Sequence, residues 1–383
     1  MLDFREEHEL LRRTIRAFVE KEVWPVVDRW EEDEEVPRAV WRRLGELGIL
    51  GLEYPEQYGG AGADFLSTIV LHEELARSRS AGFAVSVAAH TDMASPHLAG
   101  GGTEAQKSRF LPPLCRGELV CAIVVTEPGG GSDVAAIRTR ARREGDSWVL
   151  DGTKTFITNG VNADVYFVAA RTSEPSPDAR HSGVTMFIVE KGTPGFSVSR
   201  KLRKMGWWAS DTAELSFEDC RIPKEAVLGA VGEGFLSIMR NFQRERLVAA
   251  VGCVAASAQA LDDAIAWSRD RVAFDRRLAD LQAIRHSIAD LATQIEAART
   301  LTYHAAERYA RGEDATLEIS MAKLFATEVA NRVAYGAGQI FGGYAYMREF
   351  PIERFYRDMR VWTIGAGTSE IMKEIIARRM IDD

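Results

Sequence analysis

The strongest constraint in this chain of 383 residues is a hydrophobic period that changes twice. Up to about residue 120 the apolar positions are helical. Phe4, His8, Leu11, Ile15, Phe18 and Val19 recur at three- and four-residue spacing, and Pro37 opens a second such pattern through Val40, Trp41, Leu44 and Leu47. A turn-rich break at 54–62 follows, and helical spacing resumes at 71–75 and 109–114. From 121 the runs shorten and fill with β-formers, at 121–126, 148–150, 165–169, 184–189 and 213–217. Turn signals such as Asp151-Gly152 and Thr193-Pro194-Gly195 bound them. The polar segment 172–183 reads as an exposed loop. From about 232 the period is helical again, and long segments fit 234–267, 278–311 and 317–339. The expected fold class is α+β. It comprises an N-terminal helical domain over 1–120, a middle β-sandwich or barrel over 121–231, and a C-terminal four-helix bundle over 232–383.

Composition narrows the function. Lys+Arg number 48 against 56 Asp+Glu, for a net charge of -8, so no nucleic-acid or anionic-membrane partner is expected. No apolar run looks long enough to span a bilayer, and the acidic start Met1-Leu2-Asp3-Phe4-Arg5-Glu6-Glu7 reads neither as a signal nor as a transit peptide. Cys115, Cys121, Cys220 and Cys253 lack C-x-x-C spacing and the histidines lack ligand spacing. Free thiols in a reducing, cytoplasmic setting are expected, with no metal.

Four constellations carry chemistry. In Asn241-Phe242-Gln243-Arg244-Glu245-Arg246-Leu247, helical geometry puts Phe235, Ile238, Met239, Phe242 and Ala249 on one face. Glu245 lies at the edge of that stripe, Arg246 within it and Arg244 opposite. A desolvated carboxylate is a stronger base, suited to removing a carbon-bound proton; a structural Glu–Arg ion pair is the other reading. Val125-Thr126-Glu127-Pro128-Gly129-Gly130-Gly131-Ser132-Asp133 is a glycine-rich loop after a strand. It either lets backbone N–H groups approach a cofactor or simply turns the chain, and it matches neither a P-loop nor G-x-G-x-x-G. Lys154-Thr155-Phe156-Ile157-Thr158 puts an aromatic and a hydroxyl on one strand face, for stacking on a ring or for packing. Gln339-Ile340-Phe341-Gly342-Gly343-Tyr344 ends a helix, with Glu349, Arg354 and Asp358 beyond it.

In this order, the segments resemble the acyl-CoA dehydrogenase family of flavoproteins over nearly the whole chain. The stretch 126–133 is similar to that family's first signature and 339–358 to its second. The resemblance implies FAD and a 2,3-dehydrogenation of an acyl-CoA thioester. A base takes the α-proton and the β-hydrogen leaves as hydride to flavin N5. By position it implies flavin contacts from Ile123, Val125, Thr126, Gly131, Ser132, Phe156, Ile157 and Thr158, and from Thr368 and Glu370. It implies contacts from Arg271, Phe274, Gln282, Gln339, Gly342 and Gly343, some across a subunit contact. Ser132, Gln243, Arg246 and Gly367 match substrate-side positions.

One departure is decisive. Most members carry the catalytic Glu directly before the Gly-Thr of the terminal turn, where this chain has Ala366 in Thr363-Ile364-Gly365-Ala366-Gly367-Thr368. The isovaleryl-CoA and long-chain branches are similar in lacking that acid and in placing the base in a Glu-Arg-Leu stretch, which Glu245-Arg246-Leu247 matches. Glu245 is therefore the expected base, with an electron-transfer flavoprotein as electron acceptor and a homotetramer as assembly. The alternatives are a dehydrogenase of acyl or aminoacyl groups on a carrier protein, an oxidase, or a non-catalytic flavoprotein scaffold. Val124 and Ala345 are smaller departures from the two signatures. The basic segment 200–204 reads as a surface loop or a phosphate contact, Trp207-Trp208 as packing, and His90 and His97 as core residues or borders of an acyl pocket.

Overall fold

The computed structural model describes residues 2–176 and 178–382. Among the described residues seven α-helices come first: α1 (Glu6–Phe18), α2 (Val27–Asp33), α3 (Arg38–Glu46), α4 (Phe65–Ala76), α5 (Ala81–Ala88), α6 (Ser95–Gly101) and α7 (Glu104–Cys115). Local chemistry sets their starts. The Asp64 side chain accepts from Ser67 N at 3.2 Å to cap α4. Thr103 and Gln106 bond reciprocally ahead of α7, at 2.9 and 3.2 Å. Helices α5 and α6 give no periodic signal in the sequence; α5 is built of small residues buried almost all round and so has no apolar stripe. A π-helical segment, Ala89–Ala94, joins these two helices.

The middle region is one eight-stranded sheet: β1 (Cys121–Val124), β2 (Arg140–Glu144), β3 (Ser147–Thr158), β4 (Val165–Arg171), β5 (Val184–Glu190), β6 (Phe196–Lys201), β7 (Thr212–Pro223) and β8 (Val227–Leu228). The strand order is β6-β7-β3-β2-β4-β5-β8, and β1 pairs in parallel with β4. Strands β2 and β4 touch only at Arg140 opposite Arg171, so the sheet folds there into two halves around one core. Trp148 meets Phe187 at 5.4 Å and Tyr166 meets Phe196 at 4.6 Å across it. The polar strands β2 and β6 escaped the sequence reading because few of their side chains are buried.

Five helices close the fold: α8 (Gly234–Asp270), α9 (Gln282–Ala310), α10 (Thr316–Phe341), α11 (Pro351–Met359) and α12 (Ser369–Ile381). A hairpin, β9 (Val272–Ala273) with β10 (Arg276–Arg277), separates α8 from α9, so α9 starts later than the expected 278. Only α8, α9 and α10 are long. The short α12 packs on α10, and α4 adds a further wall to α8.

Helix α8 positions the site. Its first turns bury Ile238, with Phe235, Met239 and Phe242, among Leu98, Phe110 and Phe167 from the other two regions. From Leu247 onward it enters a second core, shared with α4, α9 and α10. Glu245 lies where one core hands over to the other. The expectation that no apolar run could span a bilayer needs correction: α8 has the length and apolarity, and 67% of its apolar window is buried within the fold.

Candidate active site

Glu245 is 6% exposed, and its Oε1 accepts from Asn241 Nδ2, one helical turn earlier, at 2.8 Å. Burial pushes its carboxyl up to about 7. Asn241 and Arg246 pull against that rise, and Asp92 adds to it. A buried carboxyl poised near neutrality can take a proton without being permanently ionised. Arg246 is not held in the ion pair that the sequence left open. Its Nε donates to Ala366 O at 3.3 Å, and its guanidinium lies 5.5 Å from the Phe242 ring centroid. Helix α8 thus abuts the terminal turn at the residue that lacks an acid.

That turn is tightly built. Ala366 has φ 53° and Gly367 φ 96°, in the left-handed region. A Cβ on Gly367 would come within 2.7 Å of the flexible Met372 Cε and 3.7 Å of the Arg246 guanidinium, so it is the φ of 96° rather than space that favours glycine. Lys323 Nζ, from α10, donates to Trp362 O at 2.8 Å and also to Gly367 O. Burial lowers the Lys323 ammonium to about 8. Thr368 caps α12 by accepting from Ile371 N at 3.2 Å, and Glu370 is exposed in the first turn of that helix.

The wall opposite comes from the N-terminal helices. Arg244, on the far side of α8 from the stripe, is half-buried and paired rather than solvated. It donates to Asp92 Oδ1 at 2.8 Å and to Glu53 Oε1 at 2.7 Å. Asp92 also meets His72 Nε2 at 2.6 Å. A cavity of about 450 Å³ reaches Asn241 and is lined by His97, Leu236, Ser237 and Tyr309. His97 borders it: Nδ1 meets Ser237 Oγ at 2.8 Å, Nε2 is buried without a partner, and burial lowers the ring to about 4. His90 is a core residue, 5.3 Å from the Trp41 ring, with its Nδ1 accepting from Cys121 N at 3.2 Å. Gln243 Oε1 is likewise buried with no partner, as an acceptor awaiting a ligand donor would be.

The glycine-rich loop is pinned by groups the sequence reading did not single out. Lys154, fully buried on β3, donates from Nζ to Val125 O at 2.8 Å and to Glu127 Oε1 at 2.9 Å. Glu127 also accepts from Arg138 N and Thr139 N, at 2.7 and 2.9 Å. The loop then frames a cavity of about 240 Å³ from Val125 and Thr126 through Gly131. A Cβ on Gly129 or Gly131 would meet nothing within 4 Å. Ser132 is exposed on this loop, and Ile123 is half-buried on β1. Thr155 N donates to Thr126 O at 2.9 Å, so β3 runs beside the loop. The regular strand expected at Phe156 is broken by a register shift between Lys154 and Ile157. Phe156 takes φ 60° and is 70% exposed, with Ile157 buried and Thr158 half-buried. An aromatic ring held outward in a costly conformation, beside glycines facing open space, fits a flat aromatic ligand.

The remaining candidates lie elsewhere. Arg271 is 26 residues beyond Glu245 along α8, about 39 Å at 1.5 Å per residue. Phe274, 91% exposed, sits with Asp275 at a hairpin tip where both φ angles are positive. Gln282 starts α9, while Gln339, Gly342 and Gly343 end α10, all exposed, with Gly342 at φ 64°. One chain does not bring this group to Glu245. The segment 200–204 is engaged within the protein: Lys201 Nζ donates to Glu34 O at 2.8 Å and Lys204 Nζ to Thr212 Oγ1 at 2.9 Å. Trp207 packs on Trp362 at 4.8 Å, and Trp208 lies under the guanidinium of Arg357 at 3.9 Å. All four cysteines are buried free thiols.

Sequence models of the acyl-CoA dehydrogenase N-terminal, middle and C-terminal domains match residues 5–118, 122–220 and 232–381. The chain is 40% identical over 380 residues to the mitochondrial long-chain specific acyl-CoA dehydrogenase of Rattus norvegicus, covering 99% of this chain and 88% of that protein. A crystal structure of acyl-CoA dehydrogenase from Geobacillus kaustophilus superposes with TM-score 0.95 at 42% identity, covering 99% of each chain. A structure described as an electron transferring flavoprotein of Acidaminococcus fermentans gives TM-score 0.95 at 38% identity, covering 100% of each chain. This chain belongs to the acyl-CoA dehydrogenase family of flavoprotein oxidoreductases.

Proposed function

We propose that this protein uses FAD to oxidise an acyl-CoA thioester to the trans-2-enoyl-CoA, with Glu245 as the base that takes the α-proton. The reading rests above all on one contact: Arg246 donates to Ala366 O at 3.3 Å, so the turn of α8 that carries Glu245 meets the terminal turn where an acid is absent. Burial to 6% exposure then gives Glu245 the raised basicity the step needs. The left-handed turn at Ala366 and Gly367 presents backbone N–H groups, which suit an enolate-like oxygen whatever side chain residue 366 carries.

Phe156, Ile157, Thr158 and the loop from Ile123 through Val125, Thr126, Gly131 and Ser132 would hold the flavin. Thr368 and Glu370 would add contacts after the terminal turn. Bound there, the flavin supplies the acceptor for the β-hydrogen as hydride. Gln243, Arg246, Gly367 and Ser132 would face the thioester; the unpartnered Gln243 Oε1 supports this. Arg271, Phe274, Gln282, Gln339, Gly342 and Gly343 would meet the flavin of another copy, in keeping with a homotetramer, since they lie too far from Glu245 in their own chain. Electrons would leave to an electron-transfer flavoprotein.

Anaerobic mixing of the flavin-loaded enzyme with a panel of acyl-CoAs tests this. Bleaching in the wild type that is lost in Glu245→Gln, with flavin retained, is the expected result. Equal bleaching in the variant would reject Glu245 as base. No bleaching by any acyl-CoA would reject the free thioester as substrate.

A further inference from the structure

The amide of Asn241 occupies an unusual position. Its Nδ2 lies 2.8 Å from Glu245 Oε1, 3.0 Å from Asp92 O and 3.1 Å from Met93 O. The two backbone carbonyls only accept, so the atom facing them is the amide nitrogen, and its bond to Glu245 is a donation. The carbonyls belong to the π-helical segment Ala89–Ala94. Asn241 therefore ties the N-terminal helices to α8 and holds the carboxylate with the same atom. That nitrogen has two hydrogens for three acceptors, so the acceptors compete. An ionised carboxylate is the strongest of the three and wins a hydrogen; a protonated carboxyl is a weaker acceptor and releases it to the carbonyls.

We propose that Asn241 is the positioning residue of the base, orienting Glu245 and favouring its ionised form by a donation that competes with the π-segment carbonyls. This rests on the reading of Glu245 as the base, and it adds a residue that acts only through Glu245. Every other charged group near Glu245 has an engagement of its own. Arg246 is turned to Ala366 O. Asp92 is held by Arg244 and His72, and Arg244 is shared with Glu53. Lys323, on α10, is spent on Trp362 O and Gly367 O. Asn241 is then the direct hydrogen-bond donor to the Glu245 carboxylate, against the dehydration that raises it. It also lines the cavity bordered by His97 and Ser237.

The test compares wild type, Asn241→Leu and Asn241→Ser as flavin-loaded enzyme. Two quantities are read against pH: the titration of the Glu245 carboxyl by infrared difference spectroscopy, with Glu245→Gln as subtraction, and the anaerobic flavin-reduction rate with an acyl-CoA. A hydrogen bond to a charged group corresponds to about one pH unit or somewhat more. Asn241→Leu should move both the carboxyl titration and the acid limb of the rate upward by about that much. At pH 7 the rate should fall about five-fold, and it should recover as pH rises. Asn241→Ser, small enough to fold even if leucine clashes, should move both in the same direction. An unmoved carboxyl titration in the variants would overturn the proposal. So would a rate lost equally at all pH values, which marks a purely structural role. If the titration moves but Glu245→Gln still reduces its flavin, the Asn241–Glu245 coupling stands and the assignment of the base fails instead.

Discussion

Replacing Glu245 by Gln should stabilise the protein at alkaline pH while removing its proposed catalytic group. The carboxyl is 6% exposed and burial raises it from 4.5 to about 7. A folded-state value above the unfolded one means that folding opposes ionisation. The stability carried by the neutral form is complete below pH 4.5 and is lost as pH rises through 7. The wild-type penalty is therefore small at pH 5 and about 3 kcal/mol at pH 8, at about 1.4 kcal/mol per pH unit. Glutamine cannot ionise and escapes it. Its amide N–H groups need new partners, but that cost does not change with pH, so the contrast between the two conditions isolates the carboxyl. Wild type and variant should differ by about 2 kcal/mol more at pH 8 than at pH 5. With about 2 cal/mol/K of unfolding entropy per residue, this is about a 3 °C relative gain in thermal midpoint. Scanning calorimetry of the flavin-loaded proteins at both pH values measures it. A stability difference that is flat between pH 5 and pH 8 would refute a dehydrated Glu245, and with it the physical basis for its role as a base.

Two further outcomes follow from the glycine-rich loop and the strand beside it. Lys154→Met leaves Glu127 with only its backbone donors and Val125 O without the ammonium, so it should cost about 3 kcal/mol in urea unfolding and lower the flavin content of the purified protein. Phe156→Ala removes a side chain that is 70% exposed, so the apoprotein's stability should change by less than about 0.5 kcal/mol. Flavin dissociation should rise about five-fold through lost stacking, measured by fluorescence as flavin is released; an unchanged dissociation would place the ring elsewhere.

Much of the fold is legible where apolar residues repeat. The stripe Phe235, Ile238, Met239 and Phe242 gives α8 a periodic face, and the structure packs it, with Ile238 fully buried, at the junction of the three regions. The sequence fails where periodicity is absent by necessity. Helix α5 is covered on nearly all sides and β2 has one buried residue, so neither carries an apolar pattern, while in β6 the alternation is confined to Phe196 and Val198. The same limit applies at the site. Asn241 stands four residues before Glu245, a spacing that announces a helical pair. Asp92, Lys323 and Lys154 give no such sign, because their partners are distant in the chain: the Arg244 guanidinium for Asp92, and backbone carbonyls for the two lysines. The break at Phe156 is similarly hidden, since an aromatic followed by β-formers reads as ordinary strand.

By itself, the sequence determined the order of helical and β regions, the glycine at 367, the absence of an acid at 366 and a carboxylate at the edge of an apolar helix face. These are local properties, set by period, residue type and backbone allowance. The tertiary structure decided that residues 246 and 366 meet and that Arg244 is neutralised by Asp92 and Glu53. It also decided that Glu245 is dry enough to stand near 7. Periodicity tells which face of a helix is apolar but not what covers it. The energy of a charge depends on the water and dipoles that the covering elements remove or supply.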